Sequence, residues 1–410
     1  MAVRKRTWTT SSGERREAWI CQYIDSDGTD RIKTFATKTA AKDFAATTHT
    51  SVRRGVHVPD AKSETVNQAA EAWIEAVRVG RSNRDRGPAE SSTLRQYQYH
   101  LGTYILPELG RDKLNKLTKA RVLGFRDHLL RSISRPLARK VLTSLKGLLN
   151  EAVDREKLAV NPAARVKIGG NGDGKAEEVV IPSKADIAQI LTTLDKLAAH
   201  SDKWRAKAWR RRRVMVQTAI HTGIRASELR GLPWEAIDLK NGKLTVMQKA
   251  DERGVVKKTT KSKAGKREIS LPAGLTQLLR EWKIEKGKDS GLLFPTAEGK
   301  PESHANIYNR CWKPLLLASR IADPKKDEKG KTTRDGEGKQ IMEPRYNWHA
   351  LRHFHASLLI DNGANAKEVQ EEMGHSSIQV TYDLYGHLFR DEAADQRRKE
   401  RADRMAAAIG

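Results

Sequence analysis

Cysteine is scarce in this sequence: Cys21 and Cys311 are the only two in 410 residues, far apart and with no second cysteine at metal-ligand spacing. That argues against a disulfide framework and a cysteine-based zinc site, and it fits a reducing cytosol. Long apolar runs are missing as well. No stretch of about 18 apolar residues occurs, and the opening MAVRKRTWTTSSGERREAW is basic but lacks an apolar signal core. The expectation is a cytoplasmic chain, neither secreted nor membrane-spanning. Acidic residues are the third shortage, 51 against 77 Lys and Arg, a formal charge of +26. With 38% hydrophobic residues the chain still folds, so the excess describes a basic folded protein rather than a disordered tail. The charge is spread along the chain and not gathered on one amphipathic helix, which favours nucleic acid over a membrane surface as the polyanionic partner.

The length predicts two or three domains. Residues 1–60 read as short strands and a helix: alternation at Trp19, Cys21 and Tyr23, a turn at DSDG, a partner strand RIKTF, an earlier strand near VRKRTWTT, and a helix from Lys38 capped by Thr37. Residues 61–166 are helical. Val66, Ala70, Trp73, Ile74 and Val77 share one face, as do Leu94, Tyr97, Leu101, Tyr104 and Ile105; a third helix starts at a Thr118 cap, and a fourth aligns Val141, Leu145, Leu148 and Val153 before VNP stops it. Residues 167–182, rich in Gly and charge, read as a linker. From 183 to 410 the pattern mixes helix and strand: a cap at Ser183 with Asp186, an alternating sheet-like region after Asn241, a polar loop or hairpin over 321–344, and helices from His349 onward.

Reactive side chains concentrate in the last 200 residues or so. HTGIRASELRGLPW sets Arg225 at a helix end, TKSKAGKREISLP sets Lys261 and Lys263 at a strand turn, and WHALRHFHAS puts His349 and Arg352 at i and i+3 on one helix face. MGHSSIQVTYDLYGHL supplies His375 and Tyr385. No carboxylate pair, glycine-rich phosphate loop or metal-ligand cluster stands beside them. Cations and a phenol suit one task, attack of tyrosine on a phosphodiester. Two guanidiniums clamp the non-bridging oxygens, a lysine protonates the departing 5′-oxygen, and a histidine assists the phenol or hydrogen-bonds the phosphate.

On the motifs TGIRASEL, HALRHFHAS and MGHSSIQVTYDLYGHL, in that order, the chain resembles the tyrosine recombinase, or phage-type integrase, family over nearly its full length. The resemblance implies a multidomain α+β protein. Residues 1–60 would be an arm-type DNA-binding domain with a three-stranded sheet plus helix, 61–166 a four-helix core-binding domain, and 183–410 a mainly helical catalytic domain with a small antiparallel sheet. It implies Arg225, His349, Arg352 and His375 around the scissile phosphate, Lys261 as the acid, and Tyr385 as nucleophile forming a 3′-phosphotyrosyl link, without cofactor, metal or ATP. The implied partners are double-stranded DNA at core and arm sites, a homotetramer on DNA, a DNA-bending host factor and a directionality factor, in the bacterial nucleoid. The charged tail from Asp391 to Gly410 would dock on a neighbouring subunit.

Each residue has a plainer alternative. Arg225 could be one more surface arginine, and Glu228 a partner orienting its segment. Lys261 is favoured over Lys263, with the register open by two, and Lys266 reads as solvated. His353 lies about 100° around the helix from Arg352 and reads, with His355, as packing or surface. His387 could cap or line the site. Tyr382 competes as nucleophile, but the TxxxYGH pattern selects Tyr385. The run WRRRR, Trp209 to Arg213, is a solvated face or a DNA-backbone contact. The rival functions are a non-catalytic architectural DNA binder, which needs no such residue set, and a type IB topoisomerase, which shares the chemistry without paired sites.

Overall fold

In the computed structural model, residues 1–25, 28–53, 59–60, 62–80, 87–169, 179–258, 266–287, 291–327, 330–389 and 394–409 are described, without the side chains of 47, 50, 51, 53 and 394–398. They divide into two compact units, Met1–Lys175 and Ala176–Gly410.

The first unit begins with an antiparallel meander, β1 (Ala2–Thr9), β2 (Arg15–Ile24) and β3 (Asp30–Phe35), followed by α1 (Lys38–Arg53). Thr37 caps α1 through its side chain, accepting from Ala40 N at 3.2 Å, as its position predicts. Phe44 of α1 packs on Tyr23 and Phe35, with ring centroids 5.7 and 5.1 Å apart. The register sets Trp19 opposite Lys5 and Phe35, and Cys21 opposite Val3 and Lys33, so these share the face toward α1, while Arg4, Arg6, Trp8 and Arg16 alternate onto the other. The predicted DSDG turn falls partly on residues 26 and 27, outside the described residues.

Helices then take over: α2 (Val66–Val79), α3 (Ser91–His100), a π-helical turn (Leu101–Ile105), α4 (Leu106–Leu109), α5 (Lys119–Ser132) and α6 (Arg135–Asp154). Thr65 and Gln68 form a reciprocal capping box on α2, and Thr118 caps α5. Most of the stripe the periodicity marks is buried: Val66, Ala70, Trp73, Leu101, Ile105, Val141, Leu145 and Leu148 meet in one core, Ile74, Val77, Tyr97 and Tyr104 pack half-buried against it, and Leu94 and Val153 fall outside it. Residues 170–178 of the linker region lie outside the described residues.

The second unit opens with α7 (Lys184–Ala198) and α8 (Lys203–Thr222). Ser183 caps α7 by accepting from Asp186 N at 3.0 Å, and Asp202 caps α8. A short α9 (Ala226–Arg230) follows. The alternating region resolves into two ladders rather than one. Strands β4 (Ile237–Asp238), β5 (Lys243–Val246) and β8 (Arg267–Ser270) pair antiparallel, while β6 (Gln248–Ala250) and β7 (Val256–Lys258) form a separate hairpin. Next come α10 (Ala273–Lys286), α11 (His304–Asn306), a second π-helical turn (Ile307–Trp312) and α12 (Lys313–Ala318). The 321–344 segment is a hairpin: β9 (Ala322–Pro324) pairs with β10 (Met342–Pro344), and bridges at Lys326–Thr332 and Arg334–Gln340 lie within it. Last are α13 (Ala350–Asp361), α14 (Ala366–Met373), α15 (Ile378–Tyr385) and α16 (Ala394–Ile409).

The arginines of the WRRRR run are engaged with partners within the chain, while Arg210 stays exposed. Arg210 pairs with Glu285 at 2.8 Å, Arg213 with Asp195 at 2.6 Å, and Arg211 reaches Glu302 and the Phe294 and Pro295 carbonyls. Arg212 lies over the Trp209 ring at 4.7 Å. These arginines brace α8, the helix whose far end leads into the turn before Arg225. No described helix is long and apolar enough to cross a membrane.

Candidate active site

Gly223 ends α8 in the left-handed region, at φ +55°, with its N–H returned to Ala219 O at 3.1 Å. A Cβ there would lie 2.7 Å from His355 Cδ2, so both the backbone and the neighbour demand glycine. Two residues later Arg225 stands at the N-cap of α9, where its N–H donates to Glu228 Oε2 at 2.8 Å and its Nη1 to Glu228 Oε1 at 2.9 Å. The second guanidinium, Arg352 in the first turn of α13, is 4% exposed. It donates through Nη1 to Gly223 O at 2.7 Å and through Nη2 to Met373 O. Arg225 Nη2 donates to the adjacent Gly374 O at 2.7 Å. Both arginines are thus held by the turn that closes α14, in which Gly374 is itself left-handed at φ +64°. Burial lowers the Arg352 pKa, and the nearby Arg225 charge lowers it further. An anion placed beside the pair would relieve that stress.

Glu228 is sandwiched between cations. Arg267, the first residue of β8, donates to Glu228 Oε1 at 3.1 Å and Oε2 at 2.8 Å, and both side chains are 6% exposed. Burial pushes the Glu228 carboxyl up, but Arg267 and then Arg225 outweigh it and bring it down to about 2. The expectation that Glu228 orients its segment matches this geometry, whereas Arg267 carried no signal that residue spacing could read.

Tyr385, the last residue of α15, is fully buried at 0% exposure. Its Oη shares a 2.7 Å hydrogen bond with His353 Nδ1, and its ring lies nearly parallel to that of His375, centroids 6.2 Å apart. Burial pushes the phenol up to about 12, with Arg352 pulling the other way. Tyr382, by contrast, is 48% exposed and packs on Phe389. His375 is buried, with Nδ1 2.9 Å from Thr381 Oγ1, and burial followed by the charges of Arg352, Arg225 and Arg267 lowers it to about 4. The TxxxY spacing therefore does two jobs, since Thr381 fixes one imidazole while Tyr385 supplies the phenol.

The reading of His353 as packing or surface is corrected here. It does lie away from Arg352, but it is four residues after His349, and an i, i+4 pair shares a helix face. The two rings meet edge to face at 4.7 Å, and His353 then reaches Tyr385. Burial, then His349 and Arg352, lower His353 to about 4. His349 itself is exposed beside it. His355 is buried, its Nδ1 3.1 Å from Ile220 O and its Nε2 3.1 Å from Glu372 Oε1, a strut under the Gly223 turn. His387 is exposed after α15. Lys261 and Lys263 lie outside the described residues; Lys266 is exposed.

One phenol, two guanidiniums and three imidazoles are brought together at the ends of α8, α13, α14 and α15, a set of groups whose chemistry suits phosphoryl transfer. Residues 183–392 match the Phage integrase family, to which this chain belongs; it is a tyrosine-type site-specific DNA recombinase of the integrase kind. It is 25% identical over 367 residues to a XerC-like tyrosine recombinase of Caldanaerobacter subterraneus, covering 82% of each chain. It is 24% identical over 397 residues to an integrase of Streptomyces ambofaciens, covering 91% of this chain and 90% of that one. The ICEBs1 integrase of Bacillus subtilis matches at 25% over 321 residues, 75% of this chain and 74% of its own. In fold, the chain is similar to the Tn1549 transposon integrase (TM-score 0.60, 19% identity, 84% of this chain and 100% of that one) and to lambda integrase (TM-score 0.53, 16% identity, 79% and 96%).

Proposed function

We propose that the chain cuts and rejoins double-stranded DNA through a 3′-phosphotyrosyl intermediate on Tyr385. The observation that carries this reading is the buried phenol enclosed by His353 and His375 next to the Arg225 and Arg352 pair. The Tyr385 oxygen attacks the scissile phosphorus, its proton leaves to a neighbouring base, and the P–O5′ bond breaks. Arg225 and Arg352 hold the non-bridging oxygens as charge accumulates there, and His349 and His375 hydrogen-bond the same group. Lys261 delivers the proton to the departing 5′-oxygen. The reaction reverses when a 5′-hydroxyl from the partner strand attacks the phosphotyrosine. The phosphoester energy stays in the enzyme link, so neither ATP nor a cofactor is consumed. A phenol at 0% exposure cannot touch a phosphate, so binding DNA must bring Tyr385 out of its resting position.

The Tn1549 and lambda integrase structures hold transposon end and core-site DNA respectively. By likeness, residues 61–166 and 183–410 take the core site. The face of the N-terminal sheet bearing Arg4, Arg6, Arg16 and the exposed Trp8 takes a separate arm site. The N-terminal sheet carries the basic residues Arg4, Lys5, Arg6, Arg15, Arg16, Arg31 and Lys33. Lys5, Arg31 and Lys33 on the face toward α1 are paired with Glu17, Asp25 and Asp60; on the opposite face Arg16 is paired with Glu14, while Arg4 and Arg6 stand beside the exposed Trp8. Four copies act together on DNA, coupled by α16, whose Met405 and Ile409 are exposed, and a host DNA-bending protein and a directionality factor complete the assembly.

The test is a nicked suicide duplex carrying an attachment-type site. Wild-type protein should accumulate a covalent 3′ adduct, and Tyr385→Phe should abolish it while DNA binding persists. An undiminished adduct in that variant, or one lost only in Tyr382→Phe, would overturn the assignment.

A further inference from the structure

Arg225 has an electrostatic problem that its own neighbourhood creates. A carboxylate whose Oε1 lies 2.9 Å from Arg225 Nη1 cancels much of the field that this guanidinium would present to a phosphate. Glu228 also accepts from the Arg225 backbone N–H at 2.8 Å, so it is needed to shape the turn and cannot simply be absent. The same carboxylate, however, receives both terminal nitrogens of Arg267 in a fork. Three guanidiniums, Arg225, Arg267 and Arg352, then stand against one carboxylate, and the positive charge facing the phosphate survives. Arg267 has a second contact: its Nε donates to Glu372 O at 2.7 Å. The next two carbonyls, Met373 O and Gly374 O, are the acceptors for Arg352 and Arg225. One buried side chain thus balances the carboxylate and tethers the peptide on which both clamp arginines rest.

We propose that Arg267 is a positioning residue of the recombination reaction, taking up the charge of Glu228 so that Arg225 remains available to the scissile phosphate and holding the α14 turn under both clamp arginines. This rests on the phosphotyrosyl reading above. It places an essential cation at the start of β8, on a side chain that does not itself touch DNA.

The experiment measures the single-turnover rate of covalent adduct formation by full-length protein on two nicked duplexes. One carries the ordinary scissile phosphodiester. The other carries a methylphosphonate there, whose missing charge removes most of the need for a cationic clamp. Arg267→Met should slow adduct formation on the phosphodiester by about a hundredfold, the scale of losing one preorganised electrostatic contact. On the methylphosphonate the defect should shrink to less than about tenfold. Adding Glu228→Gln to Arg267→Met removes both buried charges and should recover part of the phosphodiester rate, because Arg225 is no longer opposed while the tether to Glu372 O stays lost. Arg267→Lys, which keeps the charge, should retain about a tenth of the rate or more and serves if the methionine variant does not fold. Rates within about twofold of wild type in Arg267→Met overturn the proposal. So do equal losses on both substrates that neither Glu228→Gln nor the lysine relieves, since that pattern belongs to a side chain needed only for packing. Failure of the tyrosine reading is separable, because an adduct surviving Tyr385→Phe would appear with Arg267 intact.

Discussion

Gly223→Ala tests the joint between α8 and the clamp most directly. At φ +55° an L-residue costs about 1–2 kcal/mol more than glycine. The new Cβ would sit 2.7 Å from His355 Cδ2, 3.0 Å from its Cγ and 3.1 Å from its Cβ, too near for ordinary contact. The ring cannot swing aside freely, because Ile220 O and Glu372 Oε1 hold its two nitrogens, each at 3.1 Å. Overpacking of this kind costs about 1–3 kcal/mol, so the total is about 2–5 kcal/mol. In a unit spanning Ala176–Gly410, each kcal/mol moves the melting temperature by about 2–4 °C, so scanning calorimetry should show a fall of about 4–20 °C. The chemistry should suffer too. Gly223 O accepts from Arg352 Nη1, so adduct formation measured well below the new Tm should also be slower. Adding His355→Ala removes the ring from the clash and should restore part of the lost stability, a positive coupling in the double-mutant cycle. A Tm within about 2 °C of wild type, with full adduct yield, would refute the reasoning.

Thr381→Val keeps shape but leaves His375 Nδ1 without its buried partner; it should cost about 1–3 kcal/mol in thermal unfolding and slow adduct formation. His353 and His375 titrate near 4 in the folded chain against an ordinary 6.5. The unfolded chain therefore binds more protons between those values, so stability is full above about 6.5 and falls as the pH drops toward 4; Tm measured in that window should decline, and less so in His353→Gln. With charge stabilisation assigned to guanidiniums, cleavage should persist in excess EDTA, and activity restored only by Mg²⁺ would count against the mechanism. Lys261→Ala should slow cleavage sharply on a normal duplex and far less when the bridging 5′-oxygen is sulfur, a leaving group that needs no proton; rescue in Lys263→Ala instead would shift the register by two.

The sequence by itself determined the local structure and the enzyme class. Caps at Thr37, Thr118 and Ser183 act within four residues of themselves, and the apolar stripes of α2 and α6 follow from a fixed helical period, so both were legible before any fold. The ordered motifs likewise gave the enzyme class, because residue types and their order along the chain survive without coordinates. Only the tertiary structure decided which side chains meet. Arg267 and Glu228 are 39 residues apart, Arg225 and the Gly374 carbonyl 149, and no periodicity relates them. The charges of WRRRR looked free until α10 and the loop before α11 brought Glu285 and Glu302 to them. His353 was misread for a different reason: its angle was measured from Arg352, while its partner Tyr385 comes from α15, 32 residues on. Helix geometry fixes a side chain's direction only about its own axis, and what stands in that direction is set by how the other helices pack.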